Sequence, residues 1–440
     1  MRLVVCVALA AVGAVGAAGT TASVCKVELL WERVLTGGHN ACGGAVPCPI
    51  GAADTRASMA RAKALGFDVL RFGASGFWPR DQALFNNATT RPQFLAALDS
   101  VFDDAKALGV QLVPSLQWNS WVFADLCHES LGADMMREPT SCSHRGVHEF
   151  VSTVVARYSG PRSPYHDVVY AWELGNELNL LVDLDHTNET ILCSPALGTP
   201  ARRTAADNFT TADMVTFQQA VAGWVRKAAL PQRVLISSGH AVPRSAAHHL
   251  ARSYHAPQRD WTNDTEAELQ AVLQLGHTGL DLMSLHVYPN LDNFRFGKPP
   301  GYCELQHKCQ LLCIFNIRDD GELPLKNDDF ALKMAIHFCN SRFLLSIAAK
   351  AASAASTATM KKRVYLGEFG VPLPDRRDAA SPIFDFTRDM LAAAAENSVQ
   401  LATYWSWEDA NQRQTYGLFP ANATARNDEH TIQLLQAAQQ

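Results

Sequence analysis

The chain alternates between short apolar or β-branched runs and longer segments whose apolar residues recur at helical spacing. One amphipathic helical face is predicted over residues 94–108, a second over 150–158 and a third over 214–225. Strand and helix that follow one another repeatedly are typical of a parallel sheet.

Eight of the short runs have the composition of buried strands. They lie at 34–37, 68–72, 110–116, 168–174, 233–237, 281–287, 363–367 and 401–406. Eight strand-helix units predict a closed (β/α)8 barrel, the TIM-barrel fold, because an open doubly wound sheet usually has fewer strands. No Gly-rich phosphate loop follows the first predicted strand either.

The N-terminal segment has a different pattern. From Leu3 to Ala18 the chain carries no charge and consists almost entirely of Val, Ala, Leu and Gly, followed by small residues. This is typical of a secretory signal peptide and too short for a membrane span of about 20 residues. We predict a signal peptide over 1–22 and a single domain over 23–440; a buried first helix of the barrel is the alternative.

The cysteines fit an oxidising compartment. There are 11 in the chain, and Cys6 lies in the predicted signal peptide. The remaining even number predicts disulfides, although their pairing stays open. Zinc binding by Cys303, Cys309 and Cys313, with His307 between them, is an alternative that their spacing does not favour.

Sequons for N-glycosylation support the same compartment. They lie at Asn87, Asn188, Asn208, Asn263 and Asn422. We therefore expect a secreted, extracellular glycoprotein, with a vacuole or lysosome-like compartment as the alternative.

Charge excludes several classes of partner. The net charge is −5 with mixed signs along the chain, so nothing directs the protein to nucleic acid or to an anionic membrane. A neutral partner is expected, and the sequence does not indicate an oligomeric state.

Two segments interrupt the regular strand-helix unit. Residues 187–208 are rich in small and polar residues, and residues 290–329 are Cys-rich and irregular. Both follow barrel strands at the C-terminal face, where substrate sites of such barrels are built. We interpret them as Cys-containing loop insertions that form a substrate rim; disulfide-pinned structural loops are the alternative.

Two carboxylates end strands on that face. Glu177 closes the run Tyr170-Ala171-Trp172-Glu173-Leu174-Gly175-Asn176-Glu177, and Glu368 lies in Leu366-Gly367-Glu368-Phe369-Gly370. Cleavage of a glycosidic bond requires one carboxylic acid to protonate the leaving oxygen and a second carboxylate across the sugar. The strand ends of a barrel ring one mouth, so these two side chains can meet there.

With these motifs the chain resembles glycoside hydrolase family 5, over essentially all of the predicted mature protein. The resemblance implies that Glu177 is the catalytic acid/base and Glu368 the nucleophile of a retaining reaction, with carboxyl groups about 5–5.5 Å apart. It also implies that Asn176 binds the sugar 2-hydroxyl.

Further positions match the family's sugar site. His286 and Tyr288 are two residues apart, which places them on one face of an extended strand. Arg71 matches the arginine that keeps the nucleophile ionised, and Trp405 matches the aromatic platform beneath the sugar. Glu173 is predicted to face the helices, and Leu178 stands where many members have proline.

The substrate is predicted from the third strand. Ser115-Leu116-Gln117-Trp118-Asn119 resembles the β-mannanases of the family more than its cellulases, and Asn119 is a candidate sugar-binding residue. The Ala171-to-Leu174 and His286-to-Pro289 runs favour the same substrate. Additional aromatic platforms are predicted among Trp78, Trp118, Trp121, Trp261 and Trp407.

The sequence thus predicts a secreted enzyme that cleaves a β-linked polysaccharide, most readily β-1,4-mannan, without a metal or organic cofactor. The alternatives are a β-1,4-glucanase or another β-glucosidase-type activity on glucan or glycolipid. A catalytically inactive sugar-binding barrel is the alternative from a different class, but such a module needs aromatic and polar groups and not a pair of carboxylates.

Overall fold

The fold is that of a parallel barrel. The structure is a computed structural model that describes residues 4–8, 52–230, 234–288, 345–356, 362–371, 385–399, 401–405 and 429–437. Eight strands in these ranges pair in parallel with their sequence neighbours, and β8 closes onto β1. They are β1 (Val4–Ala8), β2 (Val69–Gly73), β3 (Gln111–Ser115), β4 (Ala171–Glu173), β5 (Leu235–Ser237), β6 (Leu282–Val287), β7 (Arg363–Phe369) and β8 (Leu401–Trp405). The predicted (β/α)8 barrel is confirmed.

Helices connect the strands on the outside of the barrel. The α-helices in the described ranges are α1 (Ala52–Ala64), α2 (Pro79–Asn86), α3 (Arg91–Leu108), α4 (Val122–Leu126), α5 (Cys142–Ser159), α6 (Thr211–Ala228), α7 (Ala247–Arg252), α8 (Glu266–Gly276), α9 (345–354), α10 (Phe386–Glu396) and α11 (Glu429–Ala437). Most residues of the predicted apolar faces of α3, α5 and α6 are buried in the main core; Leu95 and Leu108 on α3 and Trp224 on α6 remain partly exposed. The core therefore lies mainly between sheet and helices.

A smaller core fills the barrel interior. It consists of alternate strand residues, which point inward because side chains of a strand alternate between its faces: Val69, Val113, Ala171, Leu282, Tyr365 and Leu401. Two residues further along their strands, Arg71 and Glu173 also point inward, beyond this apolar layer. The polar cluster described below is thus placed at the C-terminal mouth by strand periodicity.

The first strand differs from the prediction. Val4–Ala8 pairs with β2 and with β8, so the barrel position that we predicted for residues 34–37 is occupied by part of the apolar N-terminal run. Residues 34–37 lie outside the described residues. A strand covered on both faces needs the same apolar composition as a signal peptide, so the signal peptide over 1–22 and the single domain over 23–440 stay predictions.

One predicted disulfide is present among the described residues. Cys127, directly after α4, is bonded to Cys142 at the start of α5, with their Cα atoms 5.9 Å apart. Within the same part of the chain Cys193 is a free thiol. Cys303, His307, Cys309 and Cys313 lie outside the described residues, as does the whole of the predicted loop insertion 290–329.

The sequons differ in how accessible their side chains are. Asn87 and Asn188 are exposed, whereas the amide of Asn208 is occupied by His186 and Asp185 in hydrogen bonds of 2.8 and 3.0 Å. Asn263 is partly buried, and Asn422 lies outside the described residues. Of the helices that the structure describes, none has the length and apolarity to cross a bilayer.

Candidate active site

A polar cluster occupies the mouth of the barrel at the C-terminal strand ends. It is built by β2, β4, β6 and β7 together with the turns that follow them. The cluster comprises Arg71, Glu173, Asn176, Glu177, His286, Tyr288 and Glu368. The structure thus brings together six of the eight residues predicted for the site, and it adds Glu173.

Strand β6 and the residue directly after it supply two neighbouring side chains, as the alternation of the strand predicts. The Nδ1 atom of His286 lies 3.1 Å from Oε1 of Glu177 and 3.5 Å from Oε1 of Glu368. The hydroxyl of Tyr288 donates a hydrogen bond of 2.6 Å to Oε2 of Glu368. His286 therefore lies between the two carboxylates, and Tyr288 orients one of them.

Glu368 reaches the interior because strand β7 is irregular. Leu285 pairs with Leu366, but the next residue of β6, His286, pairs with Glu368, so one residue of β7 is skipped. The skipped residue is Gly367, where a Cβ atom would lie 2.7 Å from Oγ of Ser284 and 2.8 Å from Nε2 of His286. The bulge and the missing side chain together allow Glu368 to approach His286 closely.

Glu177 is positioned by a turn and not by a strand. Its backbone is left-handed, with φ of 53°, and its N–H donates a hydrogen bond of 2.7 Å to the carbonyl oxygen of Gly239. Gly239 has φ of +71°, and a Cβ atom there would lie 1.8 Å from the Gly175 carbonyl oxygen. Glu177 is not a glycine, so its left-handed backbone is strained. Such strain is a feature of functional turns.

The two candidate catalytic carboxylates are close together. One oxygen of Glu177, one oxygen of Glu368 and a ring nitrogen of His286 all lie within 4.8 Å of one another. Such a donor set could hold a metal ion, but both oxygens of Glu368 already accept hydrogen bonds, from Arg71 and Tyr288. The contacts that are present are those of a hydrogen-bonded acid-base cluster.

Arg71 connects the carboxylates of β4 and β7. The guanidinium is fully buried. It donates hydrogen bonds of 2.5 Å to Glu368, 2.8 Å to Oδ1 of Asn176 and 2.6–3.0 Å to Glu173. Burial alone would lower the pKa of Arg71, but the nearby carboxylates of Glu173 and Glu368 raise it above its ordinary value. Arg71 is therefore held as a cation.

The prediction that Glu173 faces the helices is wrong. Its carboxylate is fully buried inside the barrel and forms an ion pair with Arg71. The signal was available in the strand pattern, because Trp172 packs in the outer core and its two neighbours must then point inward.

Asn119 is not part of the cluster. Its Nδ2 donates a hydrogen bond of 2.8 Å to the carbonyl oxygen of Phe77, and its Oδ1 accepts one of 3.0 Å from the N–H of Trp121. These bonds tie the loop after β3 to the loop after β2. The predicted sugar contact of Asn119 therefore has no support from the geometry, and the side chain stabilises the loop.

Trp405 lies beside the cluster as part of an aromatic pair. Its ring stacks on Trp118 with centroids 6.1 Å apart and an angle of 17° between the planes. Trp118 also covers Arg71, whose Cζ lies 4.4 Å from the ring centroid. The two rings thus form one side of the mouth, and both are buried.

The other predicted platforms have different surroundings. Trp121 is fully buried beneath Arg203, Trp78 packs edge-on against Phe77, and Trp261 is exposed. Trp407 lies outside the described residues. Of these, Trp121 has a structural role, since Arg203 also forms a buried ion pair with Asp125.

That ion pair fixes the loop insertion 187–208. Arg203 donates hydrogen bonds of 2.6 and 3.1 Å to the two oxygens of Asp125 on α4. It also donates to the carbonyl oxygens of Ile191 and Leu192. Among the described residues, this loop is therefore held by an arginine and not by a disulfide.

A second group of possible metal ligands lies on the outer helices. His249, Asp264 and Glu268 approach within 4.8 Å of one another. Asp264 accepts from the backbone N–H groups of His248 and His249, while Glu268 caps α8 through Thr265. These carboxylates already satisfy helix termini, which is their ordinary role at such positions.

Fold and site together define a closed parallel (β/α)8 barrel with two adjacent glutamates, a histidine, a tyrosine and an arginine at its C-terminal mouth. No protein-family model matches the chain, and no curated protein matches it in sequence.

Solved structures with a similar fold exist. An endo-1,4-β-mannanase from Rhizomucor miehei has 12% identity and a TM-score of 0.50, over 88% of this chain and 90% of that chain. A glycoside hydrolase family 5 mannosidase from the same organism has 12% identity and a TM-score of 0.51, over 93% and 90%. An exo-β-1,4-mannosidase from an Opitutaceae bacterium has 14% identity and a TM-score of 0.55, over 99% of this chain and 60% of that one. At these identities the likeness shows the fold.

Proposed function

We propose that this chain is a retaining glycoside hydrolase of the family 5 type, with Glu177 as acid/base and Glu368 as nucleophile. The observation that carries the proposal is the approach of oxygens from the two glutamates to within 4.8 Å. Carboxyl groups about 5–5.5 Å apart leave room for a covalent intermediate, whereas inverting enzymes need about 6.5–9.5 Å to admit a water between them.

The surroundings of the two glutamates suit different roles. Oε1 of Glu368 accepts a hydrogen bond from Arg71, and Oε2 accepts one from the Tyr288 hydroxyl. These two bonds orient the carboxylate for attack. Glu177 lies on a turn with its side chain 14% exposed and faces His286. Glu177 can therefore reach a leaving group or a water at the mouth, while Glu368 stays fixed beneath it.

The reaction follows in two balanced steps. Glu368 forms a bond to the anomeric carbon while the bond from that carbon to the glycosidic oxygen breaks, and the proton of Glu177 passes to the departing oxygen. A water then attacks the anomeric carbon, Glu177 takes its proton, and the ester bond to Glu368 breaks. Two inversions give overall retention of configuration.

For the substrate we propose β-1,4-mannan. The run Ser115 to Asn119 resembles that of family 5 β-mannanases, and the similar solved structures are, by their names, a mannanase and mannosidases. Trp405 lies beside the carboxylate cluster and is backed by the ring of Trp118, and an aromatic ring in such a place is the kind of apolar surface that packs against the face of a pyranose. A β-1,4-glucan is the alternative substrate, since a pyranose of either kind presents such a face.

The test is hydrolysis of a substrate panel by the purified protein. β-Mannan, a soluble cellulose derivative, aryl β-mannosides and aryl β-glucosides are compared for the wild type, Glu368→Ala, Glu177→Ala and Glu149→Ala. Glu149 is the matched control because it is an exposed glutamate in a surface ion pair with Arg91. We expect mannan cleavage, no turnover by Glu368→Ala, a loss of about 10²–10⁴-fold for Glu177→Ala, and wild-type activity for the control.

The outcomes separate the alternatives. NMR of the first-formed product identifies retention, and azide added to Glu368→Ala should give a glycosyl azide of inverted configuration. Cleavage of the cellulose derivative alone supports the glucanase. An inert wild type that binds mannan, with unchanged binding by Glu368→Ala, supports the sugar-binding barrel.

We further propose that the protein is secreted. The Cys127–Cys142 disulfide and the exposed sequons Asn87 and Asn188 support an oxidising secretory route. N-terminal sequencing of protein from a eukaryotic host tests this. A first residue near position 23 supports the signal peptide, whereas retention of Val4–Ala8 in the mature chain contradicts it.

A further inference from the structure

We propose that Glu173 is a positioning residue for this reaction, because it fixes the guanidinium of Arg71 so that Arg71 orients Glu368 and Asn176 simultaneously. The inference rests on the proposed function of the same cluster. Glu173 itself does not contact the reacting atoms in this proposal, and it acts only through Arg71.

The first support is the division of donors on Arg71. Glu173 accepts from Nε at 3.0 and 2.9 Å and from Nη2 at 2.6 Å, so it occupies one edge of the planar group. The remaining contacts are directed outward, with Nη1 at 2.5 Å from Glu368 and Nη2 at 2.8 Å from Asn176. A guanidinium has fixed geometry, so holding one edge sets the direction of the others.

The second support is that both side chains are packed against neighbouring groups. The face of Arg71 lies against Trp118, with Cζ 4.4 Å from the ring centroid. Behind Glu173 the backbone of Gly239 approaches so closely that a Cβ atom there would lie 2.7 Å from the Glu173 carboxyl carbon. The Glu173–Arg71 ion pair therefore lies packed between Trp118 and Gly239.

The third support is charge. One guanidinium faces two buried carboxylates, Glu173 and Glu368, so Glu173 reduces the positive field that Glu368 experiences. The other titratable groups that face the cluster are Tyr365 from β7, His286 and Tyr288 from β6, and Glu177 after β4. Removal of the charge at Glu173 leaves Arg71 shared by fewer anions, which favours ionised forms of the remaining carboxylates.

The test compares Glu173→Gln and Glu173→Asp with a matched control, Asp125→Asn. Asp125 also forms a buried bidentate ion pair with an arginine that lies over a tryptophan, but this pair holds the 187–208 loop and does not contact the carboxylate cluster. Melting temperature, kcat, KM and the pH dependence of kcat/KM are measured on an aryl glycoside, which occupies only the cleavage point.

For Glu173→Gln we expect kcat to fall about 100-fold, as for a misplacement of catalytic groups by about 1 Å, with little change in KM. In the pH profile of kcat/KM, the acidic limb should move to lower pH. Glu173→Asp should keep the position of that limb while kcat still falls, because the charge remains but the edge contact is lost. Asp125→Asn should lower the melting temperature without moving either pH limb.

The proposal is overturned if Glu173→Gln lowers the melting temperature as Asp125→Asn does but retains wild-type kcat and pH limbs. If Glu173→Gln does not fold, Glu173→Asp decides the question. A lower kcat with the acidic limb of the pH profile in its wild-type position supports the proposal, and a wild-type kcat overturns it. An inactive wild type overturns the proposed function instead, so the two failures are distinguishable.

Discussion

Gly367→Ala tests whether the bulge in β7 brings the carboxylates together. The new methyl group would lie 2.7 Å from Oγ of Ser284 and 2.8 Å from Nε2 of His286. Ordinary contacts between such atoms need about 3.5 Å, so the His286 ring must retreat by several tenths of an ångström. That movement displaces the ring and with it the Nδ1 atom, which contacts Glu177 at 3.1 Å, from its present position.

The expected magnitude follows from this displacement. Misplacement of catalytic groups by about 1 Å can cost about 100-fold in rate, so we expect kcat to fall by about 10- to 100-fold. Overpacking of a buried site costs about 1–3 kcal/mol of stability. The assay is kcat and KM on the best substrate of the panel, together with thermal unfolding followed by circular dichroism.

Gly223→Ala provides the matched control. It adds the same methyl group within α6, where nothing lies within 4 Å of the new atom. Alanine in a helix interior is favoured over glycine by about 0.5–1 kcal/mol, so this variant should be slightly more stable and fully active. Wild-type kcat and stability in Gly367→Ala would refute the role that we assign to the bulge.

Three further predictions concern single contacts. Tyr288→Phe removes the 2.6 Å hydrogen bond to Glu368; a bond to a charged group contributes about 1.5–3 kcal/mol, so kcat should fall about 10- to 100-fold, and an unchanged kcat would contradict the assigned contact. Reduction of the Cys127–Cys142 disulfide, 15 residues apart, should lower the unfolding free energy by about 3 kcal/mol in denaturant titrations; an identical midpoint for Cys127→Ser and wild type would contradict this. Burial lowers the pKa of His277 to about 4, so below about pH 6.5 the unfolded state takes up a proton that the folded state excludes. Stability should therefore decline between about pH 6.5 and 4, by about 3 kcal/mol, and His277→Gln should flatten that decline.

The strands from residue 68 onward were predictable because fully buried parallel strands leave continuous apolar runs. Their ends differ from the structure by only a few residues. His286 and Tyr288 were predictable for the same reason, since strict alternation along β6 turns both to one face.

Strand alternation and resemblance reach their limit where the conformation depends on tertiary context. The inward orientation of Glu173 follows from the alternation of β4, but Glu177, four residues later, breaks that alternation in a left-handed turn. At Glu368 the bulge changes the alternation again. Asn119 was assigned from a resemblance, and its amide contacts with Phe77 and Trp121 depend on a loop path that sequence does not encode locally.

The N-terminal segment shows a different limit. The apolar run that contains Val4–Ala8 satisfies the hydrophobic requirement of a signal peptide and of a barrel strand equally. Hydrophobicity alone cannot separate the two, because a translocation channel and a barrel core select the same side chains.

In the uncleaved chain, which keeps Val4–Ala8, the pairing of β1 with β8 also constrains the order of folding. Val4 pairs with Leu401 and Ala8 with Trp405, so the barrel is joined along a seam between the two ends of the chain. Contacts between such distant segments form late, because a long loop must close before they are made. During synthesis, the edges of β1 and β7 remain unpaired until β8 has emerged, so β8 completes the barrel for both neighbours at once.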